Sequence, residues 1–296
     1  MAVIATGFFD GVHLGHRLVV DTLISEARKR GEESVVLTFW PHPRTVLQNG
    51  ARDLRLLTTL SEKKSLLESM GVDRVEVIRF TKEFSRLSTE QYLKEVVKER
   101  YGGTAILLGY DNRMGKDAGS TDTIASIAEG VGLEVIRTES VPSGTESKRA
   151  ISSTLIRSLV ADGKVDEAYS LLGYQYSLYG VVVAGNHLGR SIGFPTANMQ
   201  LYEPLKLIPG NGAYSVEVEV LGNKYRGMCN IGVRPTVGNS LARTIETNIF
   251  GFDEDIYGLD MVVHFRKKIR PEMKFSSLKE LSLQLAADRE YCLSEE

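Results

Sequence analysis

The 296 residues predict an α/β chain in two parts: a parallel sheet covered by helices, then a small antiparallel β-barrel with a C-terminal helix. Three observations carry this. A single core stops growing near ~250–300 residues, so a chain of this length divides into two domains. In the first half, short and nearly continuous apolar runs alternate with helical patterns, as strands buried on both faces do. Beyond Gly173 the period shortens to that of strands joined by tight turns, with few helices until the end. The domains are expected at 1–165 and 166–296.

Ala2–Ala5 is the first strand. Leu14, Leu18, Thr22, Leu23 and Ala27, at three- and four-residue spacing, predict a helix ending in Arg28, Lys29 and Arg30 with Gly31 beyond. Ser34–Phe39 is a second apolar run, stopped by Trp40-Pro-His-Pro43. Thr59 and Glu62 have capping-box spacing and open a helix that ends near Met70 and Gly71. Val72–Phe80 alternates as a strand, and Ser88 with Gln91 starts a helix through Val97. Thr104–Leu108 is an apolar strand with a polar tip from Gly109 to Gly115. A helix over Thr121–Val131, a strand over Leu133–Thr138 and a short helix between Gly163 and Gly173 complete this part. In the second part Ser177–Ala184, Ala213–Val220, Tyr225–Ile231, Arg243–Phe250 and Met261–Phe265 read as strands. Leu221-Gly-Asn-Lys224 is a tight hairpin between two of them. Ser277 and Glu280 cap a last helix with Leu278, Leu281 and Leu285 on one face.

Composition narrows the functional classes. With 36 basic against 38 acidic residues, the net charge of −2 gives no general attraction to nucleic acid or anionic membranes. Two cysteines far apart form no disulfide framework, which suits a reducing cytosol. No apolar run reaches the ~18 residues of a membrane span, and no signal-peptide pattern opens the chain. The expected location is cytoplasmic.

The chemistry concentrates in two places. In open parallel sheets, ligands bind beyond the carboxyl ends of the strands. His13 and His16 stand at such an end, where a strand turns into a helix through Gly7, Phe8, Asp10 and Gly15. Unpaired N–H groups and the positive end of the helix dipole favour an anion there, and two imidazoles add directed donors. Pro41, His42, Asp111 and Arg113 lie at other strand ends and should converge on it. Ser152, Ser153 and Thr154 place three hydroxyls at a helix start, with Arg157 one turn on, which suits a polyphosphate. Taken singly, the same residues also suit a Gly-rich turn with surface histidines and an ordinary helix cap. In the second part, Gly185, Gly189, Arg190 and Gly193 precede Phe194-Pro-Thr-Ala-Asn198. This is not a Walker A loop, but glycines, one Arg and the Thr196/Asn198 oxygens can cradle phosphate and Mg²⁺. Alternation sets Thr244, Glu246 and Asn248 on one strand face and Ile245, Thr247 and Ile249 on the other. Alone, Glu246 reads equally as a solvated strand residue.

Together these motifs resemble the bacterial bifunctional riboflavin kinase/FAD synthetase family. GFFDGVHLGH, FWPHP, GYDNRMG and ISSTLIR carry the likeness in the first part. GRSIGFPTAN, NIGVRPTV, ETNIF and FRKKIRPEMKFSSLKEL carry it in the second, so it spans nearly the whole chain. The chain departs from the pattern at Phe9, where Asn is frequent, and at Met114, where the loop usually has Phe. Its first strand also begins at Met1, where the family has a short lead segment. The resemblance implies a Rossmann-like nucleotidylyltransferase domain followed by a β-barrel kinase domain. It implies ATP as co-substrate in both reactions, Mg²⁺ as cofactor, and riboflavin, FMN, FAD and pyrophosphate as the other small-molecule partners, with no nucleic acid or membrane partner. It implies that His13, His16 and Arg157 stabilise charge in adenylyl transfer. Gly7, Phe8, Asp10, Gly15, Ser152, Ser153 and Thr154 would hold ATP there, and Pro41, His42, Asp111 and Arg113 would hold FMN. In the kinase half it implies ATP at Gly185, Gly189, Arg190, Gly193, Phe194 and Pro195, metal at Thr196 and Asn198, and Glu246 as the base. The competing readings are another nucleotidylyltransferase with an appended β-domain, and a flavin-binding regulator without catalysis.

Overall fold

A computed structural model describes residues 1–47, 53–109, 114–117, 119–138, 151–185, 188–235 and 241–295. The chain divides into two compact units, Met1–Ser153 and Thr154–Glu296.

The first unit is the expected parallel sheet. Its strands are β1 (Ala2–Thr6), β2 (Glu33–Trp40), β3 (Arg74–Arg79), β4 (Gly103–Leu108) and β5 (Glu134–Arg137), in the order β3-β2-β1-β4-β5. All four pairings are parallel. Successive residues of β1 enter opposite cores: Ala2 and Ile4 pack on one face, Val3 and Ala5 on the other. That two-sided burial is why the strand reads as a continuous apolar run. The order reverses between β1 and β4, so the crevice at their carboxyl ends is the sheet's switch point.

Helix α1 (Leu14–Arg30) closes on Gly31 at φ 64°, with Val20, Leu23, Ile24 and Ala27 buried. Trp40-Pro-His-Pro43 ends β2, and Pro43 itself opens a short helix, α2 (Pro43–Leu47), as its fixed φ and missing N–H permit. The Thr59/Glu62 capping box is complete on α3 (Leu60–Ser69). So is the Ser88/Gln91 box on α4, which runs Thr89–Gln91 and continues as a wider π-helical coil over Tyr92–Arg100. Helix α5 (Thr121–Gly130) completes this unit, and α6 (Ser153–Ala161) begins at its last residue. The Asp111 and Arg113 tip of β4 lies outside the described residues.

The second unit, after α7 (Val165–Leu172), is a closed antiparallel barrel in the order β10-β7-β6-β11-β8-β9. The strands are β6 (Ser177–Val183), β7 (Ala197–Leu201), β8 (Gly212–Val220), β9 (Asn223–Pro235), β10 (Leu241–Ile249) and β11 (Asp260–Arg270). Leu221 and Gly222, at φ 53° and 75°, form the two-residue turn between β8 and β9. In this unit two elements are absent from the sequence reading: β7 and the single turn α8 (Leu188–Ser191). Ala197-Asn-Met-Gln-Leu201 has weak strand propensity; pairing with β6 and β10 makes it a strand.

Helix α9 (Leu278–Ser294) starts at the Ser277 cap. On the leucine face Leu278 is 51% exposed, while Leu281 and Leu285 line a cavity. An ion pair and hydrogen bonds to main-chain carbonyls help dock the helix. Arg270 pairs with the buried Asp288 at 2.8 Å, and Arg226 donates to the Cys292 and Glu295 carbonyls at the helix end. Among the described residues no helix is long and apolar enough to cross a membrane.

Candidate functional site

The first constellation is a strained turn held from behind. Phe9 and Val12 have φ of 52° and 36°, and Gly11 has 82°. Such values are costly for Phe and above all for β-branched Val. Asp10, 4% exposed, holds them: its Oδ1 accepts from the Leu57 and Thr58 amides at 2.9 and 3.1 Å. Gly11 N donates to Thr58 Oγ1 at 3.0 Å. The Asp10 carboxylate thus anchors the turn to the segment before α3. Phe9, where an Asn would take positive φ more easily, is buried and packs edge-on to His16 at 5.2 Å.

The two histidines stack. His13 is the cap of α1, its Nδ1 accepting from His16 N at 3.3 Å, and the rings lie 3.7 Å apart at 15°. A Cβ at Gly15 would press on the His13 ring at 3.2 Å, so the residue between them is small of necessity. Burial pushes the His13 imidazole down to about 4 and His16 well below its ordinary range; His13 and Lys63 push His16 down further. Both are neutral near pH 7. Because Nδ1 of His13 accepts, its proton sits on Nε2, which is a donor. His16 Nδ1 is buried and unpartnered.

This neutrality has a measurable consequence. An unfolded histidine binds a proton near pH 6.5 and folded His13 only near 4. Between these values the unfolded chain holds more protons, so stability present above pH 6.5 is lost as pH falls toward 4. His13 alone accounts for on the order of 3 kcal/mol over that window. Trp40, the single tryptophan, lies at the end of β2 in this unit. Urea titrations followed by Trp40 fluorescence should show the loss between pH 7.5 and 5, and a flatter dependence in His13→Asn.

Within the first unit, His42 and Ser153 also reach this turn. His42 lies edge-on to Phe8 at 4.2 Å, bringing the Pro41–Pro43 turn to the first. Ser153 Oγ donates to the Asp10 carbonyl at 2.9 Å. Thr154 and Arg157 continue α6 in the second unit, Arg157 Nη2 donating to Thr154 Oγ1 at 3.2 Å, and Ser152 is half-buried before the helix. Beside Thr6 and Gly7 opens a cavity of about 480 Å³ walled by Phe39, Phe80, Phe84 and Tyr92. These four rings pack with centroids 5.7 to 6.4 Å apart, and the Tyr92 hydroxyl is fixed on Thr6 Oγ1 at 2.6 Å. The sequence reading missed this aromatic wall; Phe80 and Phe84, four apart, were its signal.

The second constellation lies in the barrel. Glu246 stands opposite Asn198 on β7 and opposite Asn230 on β9. Directly opposed residues project from the same face with Cβ atoms about 4.5–5.5 Å apart. The three line one cavity of about 240 Å³ together with Phe194, Thr196 and Gly189. A second cavity, of about 140 Å³, holds Arg190, Pro195, Asp253 and Asp255 and shares Thr196 with the first. Asn248 Nδ2 donates to the Pro195 carbonyl at 2.6 Å, tying the Glu246 strand to this loop. Gly185 backs the Asn198 amide closely enough that a Cβ there would collide with it. Gly193 turns the loop at φ 84°. Thr247 and Ile249, on the opposite face from Glu246, are buried, and so is Asn248 on the Glu246 face.

Thr196 and Asn198 offer hard oxygen donors. Among the described residues no group of three or more His, Cys, Asp or Glu could hold a metal. A divalent ion here would share its ligands with phosphate oxygens, which is how Mg²⁺ is usually held.

Comparison with known proteins agrees with both halves. Residues 1–155 match the FAD synthetase family model and residues 172–294 the riboflavin kinase model. Proteins named bifunctional riboflavin kinase/FMN adenylyltransferase are 37% identical in Listeria monocytogenes and 36% in Bacillus subtilis. The matches cover 97% and 98% of this chain and 90% of each relative. A crystal structure described as a macrolide-efflux protein from Streptococcus pneumoniae is similar with a TM-score of 0.91 at 32% identity, over 100% of this chain and 94% of that one.

Proposed function

The chain belongs to the bifunctional riboflavin kinase/FMN adenylyltransferase family, and on that premise we propose which residues perform each reaction. The barrel phosphorylates riboflavin to FMN with ATP; the first unit joins FMN to the adenylyl group of ATP, giving FAD and pyrophosphate.

In the kinase reaction the nucleophile is an alcohol, which must lose its proton as it attacks the γ-phosphorus. Glu246 accepts that proton. The observation that carries the assignment is the cross-strand pairing of Glu246 with Asn198 in a cavity that shares Thr196 with its neighbour. Riboflavin takes the cavity with Glu246. ATP takes the one with Arg190 and Pro195, its phosphates reaching the loop through Gly185, Gly189, Gly193 and Phe194. Thr196 and Asn198 would hold a Mg²⁺ ion, which would supply charge neutralisation for the transferred phosphate. In Gly185→Ala the new methyl group displaces the Asn198 amide, so FMN formation should slow about tenfold with adenylylation unchanged. Separate assays of the two reactions check this.

In the adenylyl transfer the nucleophile is the FMN phosphate, already anionic, so no base is needed. One phosphate oxygen attacks the α-phosphorus and the bond to pyrophosphate breaks. Neutral imidazoles suit this: His13 Nε2–H and His16 donate to phosphate oxygens as charge builds on them. Gly7, Phe8, Asp10 and Gly15 shape the turn for ATP; Ser152, Ser153, Thr154 and Arg157 meet its phosphates. The aromatic wall of Phe39, Phe80, Phe84 and Tyr92 takes the flavin ring beside Pro41 and His42. Use of ATP and two buried free cysteines suit the cytoplasm.

The deciding experiment is product analysis from riboflavin, ATP and magnesium: FMN should appear first and FAD after it. FAD formation from supplied FMN without any FMN from riboflavin would remove the kinase assignment, and the reverse would remove the other.

A further inference from the structure

Among the described residues of the first unit, Lys63 is the only buried lysine or arginine, at 1% exposure. Its neighbour Lys64 is exposed and pairs with Glu68 at 3.6 Å. Lys63 Nζ donates to the Phe8 carbonyl at 2.8 Å and to Thr38 Oγ1 at 2.9 Å, and lies 3.9 Å from the centre of the Phe8 ring. Both acceptors are neutral. The groups facing it are Asp10 on the turn, His16 on α1 and Thr38 on β2. On its own helix, Glu62 is engaged with the Thr59 amide at 2.7 Å. Asp10 points its Oδ1 at Leu57 and Thr58. A buried ammonium with neutral partners is costly, whereas a methionine would fill the same volume without that cost.

We propose that Lys63 is a positioning residue of adenylyl transfer: from behind the first turn it pins the Phe8 carbonyl and supplies the standing positive charge toward which the triphosphate of ATP settles. This rests on the adenylyl-transfer reading of the first unit. Both histidines are neutral before the nucleotide arrives, so they contribute dipoles and not charge. In dry surroundings a single fixed charge acts over several ångströms. The phosphate chain in turn adds counter-charge to that of Asp10.

Burial pushes the Lys63 ammonium down to about 8, with Asp10 opposing the shift. Its charge is therefore lost on the alkaline side of neutrality, where His16 is already neutral. The rate of adenylyl transfer should fall there with it.

The test compares Lys63→Met and Lys63→Arg in the full chain, with FMN plus Mg-ATP and with riboflavin plus Mg-ATP. Lys63→Met should lower kcat for adenylyl transfer about 30-fold with the KM for FMN unchanged. It should also lose the alkaline limb of the pH profile and leave FMN formation from riboflavin as it was. Lys63→Arg should recover most of the rate. Equal losses in both variants, or an alkaline limb that persists in Lys63→Met, would mean that shape and not charge matters, and would overturn the proposal. Trp40 fluorescence reports folding of this unit; if Lys63→Met is unfolded, folded Lys63→Arg decides alone, and a loss there as large as in His16→Ala counts against it. A wild-type chain that makes no FAD from FMN refutes the adenylyl-transfer reading itself.

Discussion

Glu246→Gln should stop FMN formation and leave FAD formation from supplied FMN intact. The substitution keeps the size and the strand register while removing the proton acceptor, so the expected loss in kcat is about a thousandfold. Neither cavity volume nor the pairing of β10 with β7 should change, because the amide replaces a carboxylate of equal size on a half-buried strand position. KM for riboflavin therefore stays within a few fold. Following FMN from riboflavin and FAD from FMN in the same preparation makes each reaction the other's control. A thousandfold loss in both would point to misfolding or to a shared step, and wild-type FMN formation would reassign the base.

His16→Ala should do the reverse and make FMN accumulate. Removing one preorganised donor to a phosphate oxygen typically costs about 10²–10³ in rate, and His16 offers its donor from the first turn of α1. The backbone bond from residue 16 to His13 Nδ1 survives the change, since it uses the main-chain N–H. The His13 tautomer is thereby kept, and the loss reports the missing ring. Because that ring stacks on His13 and packs against Phe9, some stability of the first unit goes with it. Trp40 fluorescence separates that loss from the catalytic one. An adenylylation rate within a few fold of wild type in folded His16→Ala would remove the histidine from the mechanism.

Much of this molecule follows from signals that act within one turn of chain. The spacing of Leu14 to Ala27 and the stop at Gly31 specify α1, because helix periodicity and an αL cap are local properties. The capping boxes at Thr59 and Ser88 close as their spacing requires. Continuous apolar strands demand cover on both faces, and the two cores on either side of β1 supply it. From there the position of His13 and His16 at the switch point is a matter of topology.

What the chain order could not express lies between residues far apart. Asp10 looks like a ligand residue in its motif, yet its carboxylate is turned to the Leu57 and Thr58 amides. Lys63 and Lys64 are indistinguishable in the sequence; the phase of α3 against the sheet buries one and exposes the other. The strand through Asn198 exists only because β6 and β10 flank it. The row Asn198, Glu246 and Asn230 is set by barrel closure, since a slip of one residue would turn Glu246 to the other face. The sequence alone determined the two folds, their order and the kinds of chemistry each motif can support, because period, capping and residue type are short-range. Which carboxylate faces a cavity and which anchors a turn was decided by tertiary structure, through register and burial that only long-range pairing creates.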